Sequence, residues 1–343
     1  MISTRPARAL GALAAIAATA AALAGCSTPA AEPAASGSAE SVETLTVAIG
    51  AAGTYAAPLF LAGTLGYAKE EGLDLQITTV GTNVLNVVLA GQADMGMGGV
   101  GQSLPPIEQG KGTKIVYALE SGAVSATVVG TADVATMDDC TSVITSPLGS
   151  SAYSATGAYL AASDSDAPVT AVPTVQALLP SLLSGEHDCT VNATSSFVGG
   201  MTDGLHVIVD PQDESTMPTT LPLESTGIVL WGVGTHLDES RSKVEKLMRA
   251  LVHVEEYLAD ASPEDVAASL ADDVNLAAFT PDDLVTAYQG DQPFLVPNGG
   301  LIDEDTWANN LELYSYSFPQ IAQGDPMWDY ENVVDMSFLE AAE

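Results

Sequence analysis

One stretch of the sequence organises the rest of the chain: residues 45–99, LTVAIGAAGTYAAPLFLAGTLGYAKEEGLDLQITTVGTNVLNVVLAGQADMGMGG. Its residue patterns predict a strand at 45–49, a helix closed at Gly66, a strand at 75–80, a helix at 83–90 and a strand at 94–99. Strands that alternate with helices favour a parallel sheet, whose ligands lie beyond the carboxyl ends of the strands. The glycine-rich strand ends therefore predict one half of a binding site.

The same order of elements recurs later in the chain. Strands are predicted at 141–146, 169–172 and 189–193, with helices at 153–162 and 175–183 between them. Both copies carry the motif Leu-x-Gly-x-x-Asp just before the third strand, ending at Asp94 and Asp188. A repeated unit at similar spacing predicts two Rossmann-like α/β lobes facing each other across a ligand cleft. One larger sheet is the alternative.

Two crossings connect these lobes. A fourth strand at 113–119 is followed by a crossing strand at 126–129, and 227–231 is the return strand. Two connections make a mechanical hinge. We therefore predict a first lobe and a second lobe with the bounds 44–123 plus 227–343, and 124–226. Acid-capped helices follow the return strand, and we expect the C-terminal part to pack on the first lobe.

The N-terminal part has the features of a secretion signal, which we place at 1–25. Two arginines precede an apolar, alanine-rich segment at 9–24 that is too short for a membrane span. The segment ends in LAGC, which resembles a bacterial lipobox with Cys26 as the lipidated residue; a stray cysteine is the alternative. Residues 26–43, rich in Ser, Pro, Ala, Gly and Glu, predict a disordered tether. The protein is then secreted and anchored to the outer face of the cell membrane.

The charge of the chain excludes some partners. Its 343 residues contain 44 acidic and 9 basic side chains, with a formal net charge of −35. Nucleic acid is excluded, and the membrane is reached only through the lipid, because polyanions repel such a chain. The acids are scattered, which indicates a solvated surface rather than a store of cations.

Two cysteines remain besides the lipobox residue. Cys140 and Cys189 lie at the starts of the first and third strands of the second lobe. These strands are neighbours in a doubly wound sheet, so we predict a disulfide bond between them, as an oxidising exterior allows. Two free buried thiols are the alternative.

The predicted strand ends suggest the ligand's chemistry. The candidate ligand-binding residues are Thr54, Tyr55, Gly99, Gln102, Ser103, Glu120, Ser150, Ser151, Tyr153, Asn192, Thr194 and Trp231. No lysine or arginine lies at a predicted strand end, whereas sulfonate and nitrate sites often use a guanidinium clamp. Aromatic and hydrogen-bonding side chains favour a neutral or cationic, flat organic ligand. The alternative is an anion held by backbone N–H groups at Ser150 and Ser151. Trp231 is equally a core residue, and Glu120 also fits a solvated strand-end acid.

The whole pattern resembles a known family. Its motifs here are LAGC, GY-x4-GL at 66–73, the two Leu-x-Gly-x-x-Asp motifs, GSS at 149–151 and VD-x-SFLE at 334–340. They resemble substrate-binding lipoproteins of ABC importers with the type II periplasmic-binding-protein fold, in the NMT1/SsuA-like branch that binds nitrate, sulfonate, taurine and thiamine precursors. The resemblance implies a monomer without cofactor or metal that captures a small molecule, such as a thiamine-pyrimidine-like compound, and delivers it to the permease.

Two other classes of protein are alternatives to a binding protein. Thiamine-pyrimidine synthases share the fold, but the sequence has no Gly-x-Ser-x-Gly, His-Glu-x-x-His or Cys-x-x-Cys motif, and its four histidines lack ligand spacing. We therefore predict that the protein is not an enzyme. A purely structural surface lipoprotein is the third class, and it predicts no cleft between the lobes.

Overall fold

The computed structural model describes residues 42–342, except 123–124, 219, 222–223 and 322–323. The predicted signal, Cys26 and nearly all of the predicted tether lie outside the described residues. Residues 41–343 form one compact unit. Within the described part, every helix is too short or too polar to cross a membrane.

The described residues contain ten strands. They are β1 Glu43–Ile49, β2 Leu73–Thr79, β3 Met95–Gly99, β4 Thr113–Ser121, β5 Ala126–Thr131, β6 Val143–Thr145, β7 Val169–Ala171, β8 Cys189–Ala193, β9 Leu205–Val209 and β10 Thr226–Val233. Each predicted strand is present, with ends that differ by a few residues.

These strands form two separate sheets, so the alternative of one larger sheet is wrong. The first sheet has the order β2-β1-β3-β10-β4 and the second β7-β6-β8-β5-β9. In the first, β10 runs antiparallel to β3 and β4; in the second, β5 runs antiparallel to β8 and β9. Each sheet thus receives one strand from a crossing. Each sheet forms a lobe with the helices that flank it. The two sheets confirm the predicted two-lobe α/β fold.

Thirteen α-helices lie in the described part of the chain. They are α1 Ala57–Thr64, α2 Tyr67–Glu70, α3 Val84–Leu89, α4 Leu104–Glu108, α5 Ser151–Ala162, α6 Leu178–Leu183, α7 Gly234–Glu239, α8 Arg241–Asp260, α9 Pro263–Leu270, α10 Pro281–Asp291, α11 Glu304–Ser315, α12 Tyr330–Val333 and α13 Ser337–Glu340. Helices α5 and α6 pack on the second sheet, and most of the others on the first. Helix α11 contacts both β10 and α5. The C-terminal part packs on the first lobe, as the sequence predicts, and α11 contacts the second lobe in addition.

The aspartate of the repeated Leu-x-Gly-x-x-Asp motif connects neighbouring strands in both lobes. The Asp94 carboxylate accepts hydrogen bonds from the backbone N–H and hydroxyl of Thr46 at 2.8 and 2.7 Å, tying the start of β3 to β1. The Asp188 carboxylate accepts the equivalent bonds from Thr141 and Ser142 beside β6. Burial opposes ionisation of both acids, but these bonds leave their pKa values below the ordinary value. The motif is structural, not a ligand site.

The predicted disulfide bond is present. Cys140 and Cys189 are bonded across the neighbouring strands β6 and β8, with their Cα atoms 5.8 Å apart. The alternative of two free thiols is therefore wrong. The bond closes a loop that contains the repeat unit of the second lobe.

Candidate functional site

The carboxyl edge of the first sheet meets the second lobe at its glycines. An added Cβ at Gly99 would lie 2.5 Å from the Ser151 nitrogen and 2.6 Å from the Gly149 oxygen, too close for any side chain. Gly101 similarly lies against Gly149 and Phe318. The predicted residues Gly99, Ser150 and Ser151 are therefore brought together, and glycine is required because two backbones approach each other.

A second contact joins the end of α10 to the second lobe. Gly290 lies against Thr194, which begins the short 3-10 helix Thr194–Phe197 after β8. The Gln212 side-chain amide donates to the carbonyl oxygens of Gln289 and Gly290 at 3.3 and 3.2 Å. The C-terminal end of α10 is thus held between the lobes.

Asp291, the last residue of α10, joins the two lobes. Its side chain is buried, and its carboxylate accepts a 2.6 Å hydrogen bond from the Thr54 hydroxyl of the first lobe. The backbone N–H and hydroxyl of Ser195, in the second lobe, are close enough to lower the pKa of the same carboxyl. Burial nevertheless dominates over these bonds and raises the pKa of Asp291 to about 6. We call Asp291 with its neighbours Gln289 and Gly290 the latch, because this end of α10 contacts both lobes.

Glu120 lies beside this latch. It stands near the end of β4, and Glu120 and Gly99 flank Ile228 of β10 at the same edge of the sheet. Its exposed fraction is 1%, and its Oε1 has no hydrogen-bond partner among the described residues. Burial and the charge of Asp291 raise its pKa well above the ordinary value, against one hydrogen bond from Ser125. The interpretation of Glu120 as a solvated strand-end acid is therefore wrong.

The positive charges lie at the opposite edge of the first sheet. Helix α8 supplies Lys243, Lys246 and Arg249, which pair with Asp94, Glu43 and Glu71 at 3.0, 2.8 and 2.6 Å. These three acids precede or begin strands, so the ion pairs cap the amino ends. Among the described residues, no lysine, arginine or histidine forms an ion pair with Glu120 or Asp291. Neither site carboxyl therefore has a cationic partner in the part of the chain that the structure describes.

Two tyrosines line the same region. Tyr55, half-buried, donates its hydroxyl to the Ala51 carbonyl oxygen at 2.8 Å. The Tyr314 hydroxyl, on α11, lies 3.5 Å from the carbonyl oxygens of Thr226 and Gly227 at the start of β10. Burial raises the pKa of both tyrosines, and the negative charge of Glu120 adds to it. Both rings are thus near the Glu120 carboxylate.

Several predicted residues have structural roles instead. The Ser103 hydroxyl donates to the Val100 carbonyl oxygen, and the Ser150 hydroxyl caps α5 by accepting from the Tyr153 N–H at 3.1 Å. The Tyr153 carbonyl oxygen accepts a bond from Ser317. These hydrogen bonds stabilise the local fold, so the atoms that make them are not free to bind a ligand.

Asn192 and Trp231 are also engaged within their own lobes. The Asn192 side chain donates to the Ser146 hydroxyl at 2.6 Å and accepts from Ser196 at 2.8 Å. Trp231 is fully buried in the core of the first lobe, where it contacts Gly96. The structure thus places Trp231 away from the strand ends at which we expected it. By contrast, Gln102 is half-buried and its Oε1 has no partner among the described residues.

Sequence reasoning missed three residues of this site: Asp291, Ser125 and Tyr314. Of these three, only Asp291 has a feature in the sequence that could have indicated its role. An acid in the last turn of a helix opposes the helix dipole and is unfavourable. Asp291 stands there in α10, which begins with the acids that the dipole does favour. Such a misplaced acid is a reason to suspect a role outside the helix.

Comparison with known proteins supplies the family. The family model described as NMT1/THI5 like matches residues 53–265. No curated protein sequence matches the chain. Among solved structures, a protein from Bordetella bronchiseptica RB50 is similar at 20% identity and a TM-score of 0.72, with 87% of this chain and 96% of that chain covered.

Two further structures carry functional names. The ligand binding component of an ABC-type import system from Staphylococcus aureus, solved with zinc bound, is similar at 11% identity and a TM-score of 0.68, over 88% of this chain and 99% of that chain. The periplasmic nitrate-binding protein NrtA from Synechocystis PCC 6803 is similar at 11% identity and a TM-score of 0.67, over 88% of this chain and 88% of that chain. At such identities these likenesses show the fold alone. The family match covers most of the chain, and the chain therefore belongs to the NMT1/THI5-like family.

Proposed function

We propose that this protein is the extracytoplasmic solute-binding lipoprotein of an ABC importer, which captures a small organic molecule between its lobes and delivers it to the permease. The observation that carries the proposal is the contact of the end of α10 with both lobes: Asp291 accepts a hydrogen bond from Thr54 of the first lobe, and Gln212 of the second lobe donates to the carbonyl oxygens of Gln289 and Gly290. Contacts of this kind form only when the lobes meet. The family and the named import component support the same role.

The topology supports capture by hinge closure. The chain passes between the sheets from β4 to β5 and again from β9 to β10, so only two connections must bend when the lobes part. A ligand that contacts both lobes stabilises their closed arrangement. The lobe bounds 44–123 with 227–343, and 124–226, belong to this proposal. The proposal also includes lipidation at Cys26, a position at the outer face of the cell membrane and a monomeric state.

The ligand class follows from the charges at the site. We infer a neutral or cationic organic molecule, such as a heteroaromatic one, because Glu120 and Asp291 are buried and Tyr55 and Tyr314 are nearby. The Glu120 carboxyl disfavours an anion, which needs positive or N–H partners. Anion binding at the start of α5 is the alternative, although Ser150 already uses its hydroxyl for capping there.

A thermal-shift screen of the 41–343 unit tests the proposal. The compounds are heteroaromatics, thiamine precursors, amines, sulfonates and nitrate, and mass spectrometry identifies whatever co-purifies. A ligand at a hundredfold excess over its dissociation constant stabilises the protein by roughly 2.7 kcal/mol. We expect a shift with one class of compound and recovery of that compound unchanged. Chemical conversion of the ligand, or no binding by any class, would contradict a transport role.

A further inference from the structure

We propose that Glu120 and Asp291 together form the recognition site for a positively charged nitrogen group of an organic ligand, such as an ammonium or amidinium group with N–H donors. This inference rests on the proposed function and names the ligand class. Its basis is geometric: Glu120 forms a backbone bridge with Leu295, four residues beyond Asp291, both carboxyl groups are buried, and Glu120 Oε1 has no partner among the described residues.

The chain itself shows how it treats carboxylates that are structural. Asp94 is bonded to Thr46, Ser240 and Lys243, and Asp188 accepts bonds from Thr141 and Ser142. The Asp94 and Asp188 side chains each have donors on both oxygens. Glu120 is more deeply buried than either, yet its Oε1 has none among the described residues. A buried carboxyl oxygen without a hydrogen-bond partner is costly, and ionisation of the group adds to this cost, so a structural role does not account for Glu120.

A cationic group of the ligand supplies what is missing. Its charge offsets the repulsion between the two carboxylates, and its N–H groups donate to the free oxygen of Glu120. Burial and the charge of Glu120 raise the pKa values of Tyr55 and Tyr314, so both aromatic rings lie near this carboxyl, and aromatic rings attract organic cations. A neutral ligand would leave the carboxyl pair uncompensated, and an anion would add a third negative charge.

A metal ion fits the site less well than an organic cation does. In the part of the chain that the structure describes, no three His, Cys, Asp or Glu side chains are close enough to hold a metal ion. Calcium and magnesium require about six oxygen ligands, and zinc usually takes at least three from the protein. Two carboxyls with tyrosines suit a singly charged group that carries its own hydrogen-bond donors.

Matched compounds test the charge of the ligand directly. The probes are benzylamine and benzamidine as cations, benzyl alcohol and benzamide as their neutral counterparts, benzenesulfonate and nitrate as anions, and Mg²⁺ or Zn²⁺ alone. Any ligand that co-purifies is identified by mass spectrometry and joins the set. Binding is measured by calorimetry with the wild-type unit, Glu120→Gln, Asp291→Asn and the control Glu312→Gln, which removes an exposed acid of α11.

We expect binding by cations only, weakened at least about tenfold in both site variants and unchanged in the control. A ligand that proves to be an anion, or a cation whose affinity survives in both site variants, overturns the inference while the transport role stands. Binding of Mg²⁺ or Zn²⁺ alone at the carboxyl pair also overturns it. Absence of binding by every class removes the proposed function and the inference together.

A ligand-free measurement guards against an incomplete choice of probes. If Glu120 lacks its cation, burial opposes its ionisation in the folded state and this cost grows as the pH rises. Glu120→Gln removes the cost, so it raises the melting temperature of the free protein by several degrees more at pH 8 than at pH 5. The titratable groups facing Glu120 are Asp291, Tyr55 and Tyr314, and the tyrosines stay neutral over this range. An equal or lower melting temperature at pH 8 shows that Glu120 is already compensated, and this result overturns the inference.

Discussion

Closure of the lobes is open to a test through Gly99. All three atoms that an added Cβ would meet first belong to the second lobe: the Ser151 nitrogen at 2.5 Å, the Gly149 oxygen at 2.6 Å and the Ser150 carbonyl carbon at 2.8 Å. The backbone of Gly99 has φ −59° and ψ 146°, which alanine adopts freely. The substitution Gly99→Ala therefore leaves the first lobe unstrained and obstructs only the meeting of the two lobes.

The size of the effect follows from these contacts. Ordinary contacts with a Cβ begin near 3.4 Å, so the lobes must separate by close to 1 Å at this point, and all three obstructing atoms are backbone. One excess methyl group in a well-packed place costs about 1–3 kcal/mol. Because the cost falls on the closed state alone, the dissociation constant of the ligand rises by about 5- to 150-fold.

The assay is calorimetric titration of the ligand found in the screen, together with thermal unfolding of the free protein. Gly63→Ala is the matched control, because an added Cβ there meets no atom within 4 Å and the helical position favours alanine. We expect the Gly99→Ala protein to bind weakly and to melt near the wild-type temperature without ligand. Wild-type affinity in Gly99→Ala would refute the reasoning. So would a loss of ligand-free stability as large as the loss of binding.

Three further predictions concern stability. The pKa of Asp291 rises from 3.8 to about 6, so the folded state holds a proton that the unfolded state releases, and stability falls as pH rises through this window. The fall is up to about 3 kcal/mol, and Asp291→Asn should abolish it in urea titrations at pH 4 and pH 8; identical pH profiles would speak against it. Replacing Cys140 and Cys189 together by Ser frees a loop spanning 49 positions and should cost about 4 kcal/mol in chemical denaturation, whereas a loss under about 1 kcal/mol would contradict the chain-entropy argument. Asp188→Asn should cost about 1–3 kcal/mol and weaken the loss of stability as pH falls, because the hydrogen bonds that lower the pKa of Asp188 need its charge; an unchanged acid midpoint would count against this.

Local patterns predicted the fold well because its determinants are close in sequence. The repeated motifs ending at Asp94 and Asp188 marked the two lobes, since each aspartate ties one strand to its neighbour. The helix starts at Thr280 and Ser262 were equally predictable, because a cap hydroxyl bonds the N–H three residues onward. Helix α11 was harder, because its contact with α5 of the second lobe depends on tertiary packing.

The site was predicted only in part. Thr54, Gly99 and Glu120 were predicted because they follow or end apolar strands, where parallel sheets gather ligands, and their contact with a ligand stays a prediction. Trp231 was misplaced because an aromatic residue in a strand looks the same at its end and in its core. Asp291 was missed because its hydrogen-bond partner Thr54 lies 237 residues away along the chain.

The sequence by itself determined the two repeated α/β units, their disulfide bond and their helix caps, because each depends on residue type and spacing along the chain. Only the tertiary structure decided which side chains share the site. In the folded protein Asp291 contacts Thr54, which is 237 residues away along the chain, and Glu120 is buried near Asp291. The lysines of α8 lie at the opposite edge of the first sheet. The charge of a site depends on which groups meet and how much water they lose, and neither is written in the order of the residues.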